Sequence, residues 1–242
     1  MFEFRLPAPG AATKALVGGI CWIACLQAAV AQHVAQLAWP GYSRSTDAIS
    51  YLGITECGPF RDVLFSDTVY VCSPLHDVLN GSMILLGILV SAGLWLTYSV
   101  WRGSSWSRWG ARLLGLGGAG IVLSGLWSAD ENLLLHGVGA ALYLGIANLG
   151  IAMIGIGEFR RNRLYALFTC AMGLTGFLGF VAFGSQFLLG MGRGSVERFA
   201  AYPSLIWLIL SGMLIGVGAA AARRRDQRQL AASQAATGRV AS

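Results

Sequence analysis

LLLHGVGAALYLGIANLGIAMIGIG, residues 133–157, carries no charge at neutral pH unless His136 is protonated. As a helix rising about 1.5 Å per residue it is long enough to cross about 30 Å of hydrocarbon. Comparable apolar runs lie at 13–39, 75–101, 111–128, 165–190 and 200–222. The chain of 242 residues is 55% hydrophobic and only 12% charged. Six such helices in a water-soluble protein would leave almost no polar surface to face solvent. The expected fold is therefore all-α. It is a polytopic bundle of six transmembrane helices forming one domain over 1–222, followed by a basic, disordered cytoplasmic tail at 223–242.

Charge sets the expected orientation. With the N-terminus inside, the inner face holds Arg5, Lys14, Arg102, Arg108, Arg112, Arg160, Arg161, Arg163, Arg223, Arg224, Arg225, Arg228 and Arg239, 13 of the 17 basic residues. Arg44, Arg61, Arg193 and Arg198 fall outside, along with eight of the eleven carboxylates. The positive-inside bias then predicts both termini in the cytoplasm of a plasma (inner) membrane protein. The net charge of +6 is explained by topology and by attraction to anionic membrane lipid, without nucleic acid as a partner. Trp39 and Tyr42 at one end, and Trp95, Tyr98, Trp101, Trp106 and Trp109 at the other, suit aromatic belts, whereas Trp22 lies deep enough to be packing. Lys14 and Ala29-Val30-Ala31 resemble a signal peptide and its cleavage site. The apolar run continues through Val34, Leu37 and Trp39, further than such a segment needs, so it reads as a retained span.

The longest connection, 40–74, is expected outside. Cys57 and Cys72 both lie within it, on the oxidising side, and are expected to form a disulfide, while Cys21, Cys25 and Cys170 lie within spans as small buried hydrophobes. Asp47, Ile49, Ser50 and Leu52 are spaced to give a short helix with one polar and one apolar side, able to lie across the mouth of the bundle. His33, His76 and His136 sit at this same end of three different spans. The candidate pocket is His33, Asp47, Ser50, Asn80, Asp130, His136, Glu197 and Arg198, converging beneath the loop. His33 lies deepest, and intramembrane ionisable groups usually face a cavity or a partner. Glu197 and Arg198 read as a pair that orients the loop.

Several motifs carry a resemblance. Pro40-Gly41-Tyr42-Ser43 comes first, then Ile49-Ser50-x-Leu52-Gly53 and Ser73-Pro74 with Asn80. Ser124-Gly125-Leu126-Trp127 precedes His136-Gly137, and Glu197-Arg198 precedes Leu205-Ile206-Trp207. Together they resemble the domain-of-unknown-function 998 family of microbial membrane proteins. The resemblance spans the bundle and implies about six transmembrane helices and no particular reaction. Where members often have an acidic or other residue, this chain has Tyr51. Where they have a Phe-Pro-Cys-like turn, it has Trp127-Ser128-Ala129.

Three functions compete on sequence. The first is binding or passing a lipid-like or hydrophobic small molecule, with Asn80, Asn148, Thr175 and Gln186 as interior polar groups. The second is a metal-dependent, lipid-acting hydrolase in which His33, His76 and His136 hold zinc, although no spaced zinc motif is present. A serine version would pair Ser50 or Ser73 with His136 but lacks a nucleophile-elbow sequence. The third is a structural or accessory subunit of a homo- or hetero-oligomer, using the small-residue ridges Gly137/Ala141/Gly145 and Gly212/Gly216. The expected reading is the binder, with no cofactor required.

Overall fold

The computed structural model describes residues 11–188 and 190–240, apart from the side chains at 230, 232, 233 and 235–240. Arg5 of the inner-face basic residues and the last two residues of the tail lie outside the described residues, as does the Arg239 side chain.

Among the described residues, six helices are long and apolar enough to cross a membrane. The first is α1 (Ala11–Ala24), broken at Cys25 and continued by α2 (Leu26–Ala38). The second is α3 (His76–Thr97), extended by a 3₁₀ turn to Gly103, and the third is α4 (Ser105–Leu126). The fourth joins α5 (Leu133–Ala140), a π-helical stretch Ala141–Ala147 and α6 (Asn148–Glu158). The fifth is α7 (Arg163–Gly184) and the sixth α8 (Arg193–Val240). Local chemistry sets several starts. The side chains of Ser104, Asn132 and Asn162 accept the backbone N–H of Ser107, Leu135 and Tyr165 at 3.0–3.1 Å, satisfying helix donors that have no intrahelical partner. The Ser104 cap begins the third helix well before residue 111. The fifth stops at Gly184, before 190, because Gln186 and Gly190 take positive φ. The tail expected to be disordered from 223 instead continues α8 to Val240.

Consecutive spans joined by short connections pack side by side. α1 packs on α3, α3 on α4, α4 on α6, α6 on α7, α7 on α8, and α8 closes back on α1. The ring closes because small residues let the first and last helices touch. A Cβ on Gly19 would lie 2.7 Å from the Gly212 carbonyl oxygen, and one on Gly212 would lie 2.6 Å from that of Gly19. Gly212 thus packs this bundle internally.

The end of the ring away from the 40–74 loop is filled. Trp22, Trp101 and Trp207 are fully buried, with ring centroids 5.4–6.0 Å apart. Their Nε1–H groups donate to Val90 O (3.2 Å), Thr97 Oγ1 (3.1 Å) and Thr169 Oγ1 (3.1 Å). Trp101 is therefore core and no part of a belt, since the 3₁₀ turn folds it back onto Thr97. Trp95, Trp106 and Trp109 stay exposed, as a belt requires.

The 40–74 loop is built, although only part of it helically. Ser50–Gly53 forms one 3₁₀ turn. It is followed by an antiparallel hairpin, β1 (Gly58–Asp62) with β2 (Asp67–Val71), in register from Gly58↔Val71 to Asp62↔Asp67. The Cys57–Cys72 disulfide closes the open end of the hairpin.

Candidate functional site

At the hairpin end, inside the ring, lies a cavity of about 80 Å³. Beside it, bounded by α5 and the end of α7, runs a groove of about 420 Å³. Ser50, His136, Ala140, Leu144 and Glu197 line both, and so form the neck between them.

Each polar group at the neck is held by backbone geometry. Glu197, on the second turn of α8, accepts the Ile49 N–H and is also bonded by that of Ser50, placing a carboxylate at the start of the 3₁₀ turn where free donors gather. Asn80 on α3 holds the other end, its Nδ2 donating to Gly53 O at 2.8 Å. A Cβ on Gly53 would collide with the Asn80 amide, 2.4 Å from Oδ1. His136 sits just inside α5 with Nδ1 3.0 Å from Trp127 O. A carbonyl only accepts, which assigns the proton to Nδ1 and leaves Nε2 with a lone pair. Deeper in, Gln32 Nε2 donates to the Tyr202 hydroxyl at 2.9 Å, and the Tyr143 hydroxyl to Ala201 O at 3.3 Å. The rest of the cavity is mostly aliphatic, including Leu79, Met83, Leu86 and Leu205.

The floor joins two irregular helices. Pro203 removes a donor from α8, and the π stretch of the fourth span faces that region. Asn148 Nδ2 bridges them, donating to Leu144 O (2.8 Å) and Ala200 O (2.9 Å).

Arginines clamp the roof. Arg198 donates from Nη1 to Arg44 O (2.8 Å), Gly194 O (2.8 Å) and Asp47 O (3.4 Å), and from Nη2 to the Tyr42 hydroxyl (2.7 Å). Arg193 donates to both carboxylate oxygens of Asp67, to Asp62 (3.2 Å) and to the Tyr51 hydroxyl (2.6 Å), which itself donates to Asp62 at 2.5 Å. The guanidinium hydrogen bond holds the Asp67 carboxyl below its ordinary range, with desolvation opposing. Burial pushes the Tyr42 and Tyr51 hydroxyls up, so both stay protonated. Asp130, in the turn before α5, accepts from Thr55 N (2.9 Å), Thr55 Oγ1 (2.8 Å) and Ser128 Oγ (2.6 Å). Desolvation raises its pKa, but these bonds outweigh it and the net direction is down. Gly192, at φ 83°, and Gly194 let the loop lie directly on the start of α8, since Cβ atoms there would strike Ser45 O and Asp47 O.

Of the residues singled out by sequence, Ser50, Asn80, His136 and Glu197 meet at one cavity. The other four do not line it. His33 is exposed on the outer face of α2, where Gln32 and Gln36 turn inward instead. Asp47 accepts the Ser43 N–H at 2.7 Å within its own loop, while Arg198 and Asp130 brace the roof. His76 bonds Ser73 O (3.0 Å) and lies 3.5 Å from Asp77. The three histidines are thus apart, and among the described residues no three His, Cys, Asp or Glu side chains are grouped to hold a metal ion. Ser73 is buried and donates to Leu52 O at 2.7 Å, a structural bond away from the cavity. Thr175 and Gln186 are not among its lining residues, and Gln186 donates instead to Leu64 O at the hairpin tip. The Arg193 clamp and the Gln32–Tyr202 pair were missed. Their signals were an arginine just ahead of the last span and a glutamine inside the first.

Ring, filled far half and roofed cavity together define a six-helix multi-pass membrane protein with a chamber at one end. The family model described as "Protein of unknown function (DUF998)" matches residues 22–214, and the chain belongs to that family. No curated protein and no solved structure matches it.

Proposed function

We propose that the protein binds a lipid-like hydrophobic molecule in this chamber, on the extracytoplasmic side of the plasma (inner) membrane, with both termini in the cytoplasm. The observation that carries the reading is the shared neck, where Ser50, His136 and Glu197 stand between two largely apolar spaces. An amphiphile needs that combination, a few placed polar groups inside an apolar wall. The tryptophan cluster closes the ring below the cavity, which favours holding a ligand over passing it straight through. The orientation is supported by the charge pattern, since with the termini inside the six-span reading assigns 13 of the 17 basic residues to the inner face.

Native mass spectrometry of protein purified in mild detergent, paired with metal analysis, tests the reading. A lipid-mass adduct without stoichiometric zinc is expected, with occupancy reduced in His136→Ala and Asn80→Ala that still elute as folded species. Absence of any adduct, or full retention by both variants, would overturn it.

A further inference from the structure

We propose that the groove between α5 and α7 is a side entrance from the bilayer. The hydrocarbon chain of a membrane lipid with a non-anionic, hydrogen-bonding headgroup lies in it, and the headgroup rests at the Ser50–His136–Glu197 neck. The inference rests on the binding reading above and adds the route and the class of ligand.

The groove exists because the fourth and fifth spans part toward the hairpin. α6 and the π stretch pack against α7, whereas α5 packs on α4 and makes no comparable contact with α7. Small residues line the gap. At Gly137 on α5 and Gly184 at the end of α7, a Cβ would meet nothing within 4 Å. Ala140 and Ala141 continue the small wall. Two turns deeper the space ends, since a Cβ on Gly145 would lie 2.8 Å from the Phe180 ring. Gly137 and Ala141 therefore face open groove, and only Gly145 of that ridge packs the bundle. The trough from Gly137 to Gly145 is about 12 Å long at a helical rise of about 1.5 Å per residue. Its volume of about 420 Å³ falls within the range of small-molecule sites, roughly 300–1,000 Å³.

The surroundings select a bilayer occupant. Leu133, Leu134 and Val138 on α5, and Leu178 and Val181 on α7, are exposed beside the opening, a rim suited to acyl chains and costly to leave in water. The roof is fixed. Gln186 Nε2 donates to Leu64 O at the hairpin tip, and Phe65 meets Phe183 edge-on at 5.4 Å. The polar end selects the headgroup. Asp62 and Glu197 line the groove, and among the described residues no lysine or arginine does. Arg193, which pairs with Asp62, and Arg198, beside Glu197 in sequence, are already engaged by the hairpin and the loop. An anionic headgroup would face the Glu197 carboxylate, with Asp62 already paired to Arg193 and no cation on the groove wall to receive it, which disfavours it in an apolar setting. A hydroxyl or ammonium can instead donate to Glu197 or to His136 Nε2.

The test uses the full chain in detergent micelles at pH 8 with two probes of one chain length, monoolein (uncharged) and oleate (anionic), read as bound fraction by native mass spectrometry. Monoolein is expected to bind at least tenfold more tightly than oleate. Gly137→Leu and Gly184→Leu, whose side chains would fill the groove, should each cut monoolein binding tenfold or more. Gly81→Leu, equally open but on the exposed face of α3, should leave it unchanged. A milder variant guards against misfolding. Gly137→Cys should be alkylated by a membrane-soluble maleimide, above the unsubstituted protein, and monoolein should block that reaction. Equal binding of oleate, or unchanged monoolein binding in both leucine variants, would overturn the inference. If those variants bind normally while Asn80→Ala does not, the entrance is wrong and the chamber stands. If the unsubstituted protein binds neither probe, the chamber fails with it.

Discussion

Removing Arg198 should open the roof without dissolving the bundle. Arg198→Ala deletes four donated hydrogen bonds, three of them to loop residues Tyr42, Arg44 and Asp47. A hydrogen bond from a charged donor contributes about 1.5–3 kcal/mol. The acceptors do not all lose that amount. Gly194 O lies in the same helix, Arg44 is exposed and its carbonyl can recover water, and the Asp47 bond at 3.4 Å is long. What remains is chiefly the Tyr42 hydroxyl at 2.7 Å and the partly buried carbonyls beside it. The expected cost is about 2–3 kcal/mol, a roughly 30- to 150-fold rise in the open population of the loop. Hydrogen exchange reads this directly. The amides of Asp47, Tyr51 and Leu52, bonded to Ser43 O, Ala48 O and Ile49 O, should exchange faster by that factor, while those of α4 and α6 stay slow. Arg198→Lys should fall between, because an ammonium cannot reproduce the fork. Exchange unchanged within twofold, or accelerated equally throughout the chain, would refute the reasoning.

Further outcomes follow from the same geometry. A non-reduced peptide map should link Cys57 to Cys72, and replacing both with serine should destabilise the loop by up to about 3 kcal/mol, seen as earlier proteolysis within 58–71. Because the Asp130 carboxyl is held below its ordinary value of 3.8, its bonds to the loop stabilise the folded state above that pH and are lost as pH falls through the lower folded value. Loop opening, read as exchange relative to the intrinsic rate at each pH, should therefore rise on acidification below about pH 4, near the unperturbed carboxylate range, and Asp130→Asn should flatten that dependence. Single cysteines at Arg161 and Arg225 should react with impermeant maleimide only from the cytoplasm, and one at Asp130 only from outside. Reversed accessibility would invert the orientation.

The spans were legible because an uncharged run of membrane length has few other uses, whereas their ends depended on single caps such as Ser104 and Asn162. Ser50, Asn80, His136 and Glu197 could be singled out because polar groups at the ends of apolar helices are few. His33 could not be placed. Successive helical residues turn by about 100°, and in Gln32-His33-Val34-Ala35-Gln36 polar groups fall on more than one face. The inward positions went to the glutamines. The Arg193 clamp was hidden for another reason. It exists only because the hairpin register sets Asp62 opposite Asp67, with the Tyr51 hydroxyl bonded to Asp62. The Gly137 ridge read as a packing surface, and only the divergence of α5 from α7 reveals its upper part as open.

Photo-crosslinking with a monoacylglycerol carrying a diazirine along its chain tests the central claim most directly. The account predicts that adducts, competed away by excess monoolein, concentrate on peptides containing 133–144 and 180–187, with a minor share on 197–205. Labelling spread evenly over exposed positions such as Trp95, Leu116 and Val217, and indifferent to competitor, would contradict it.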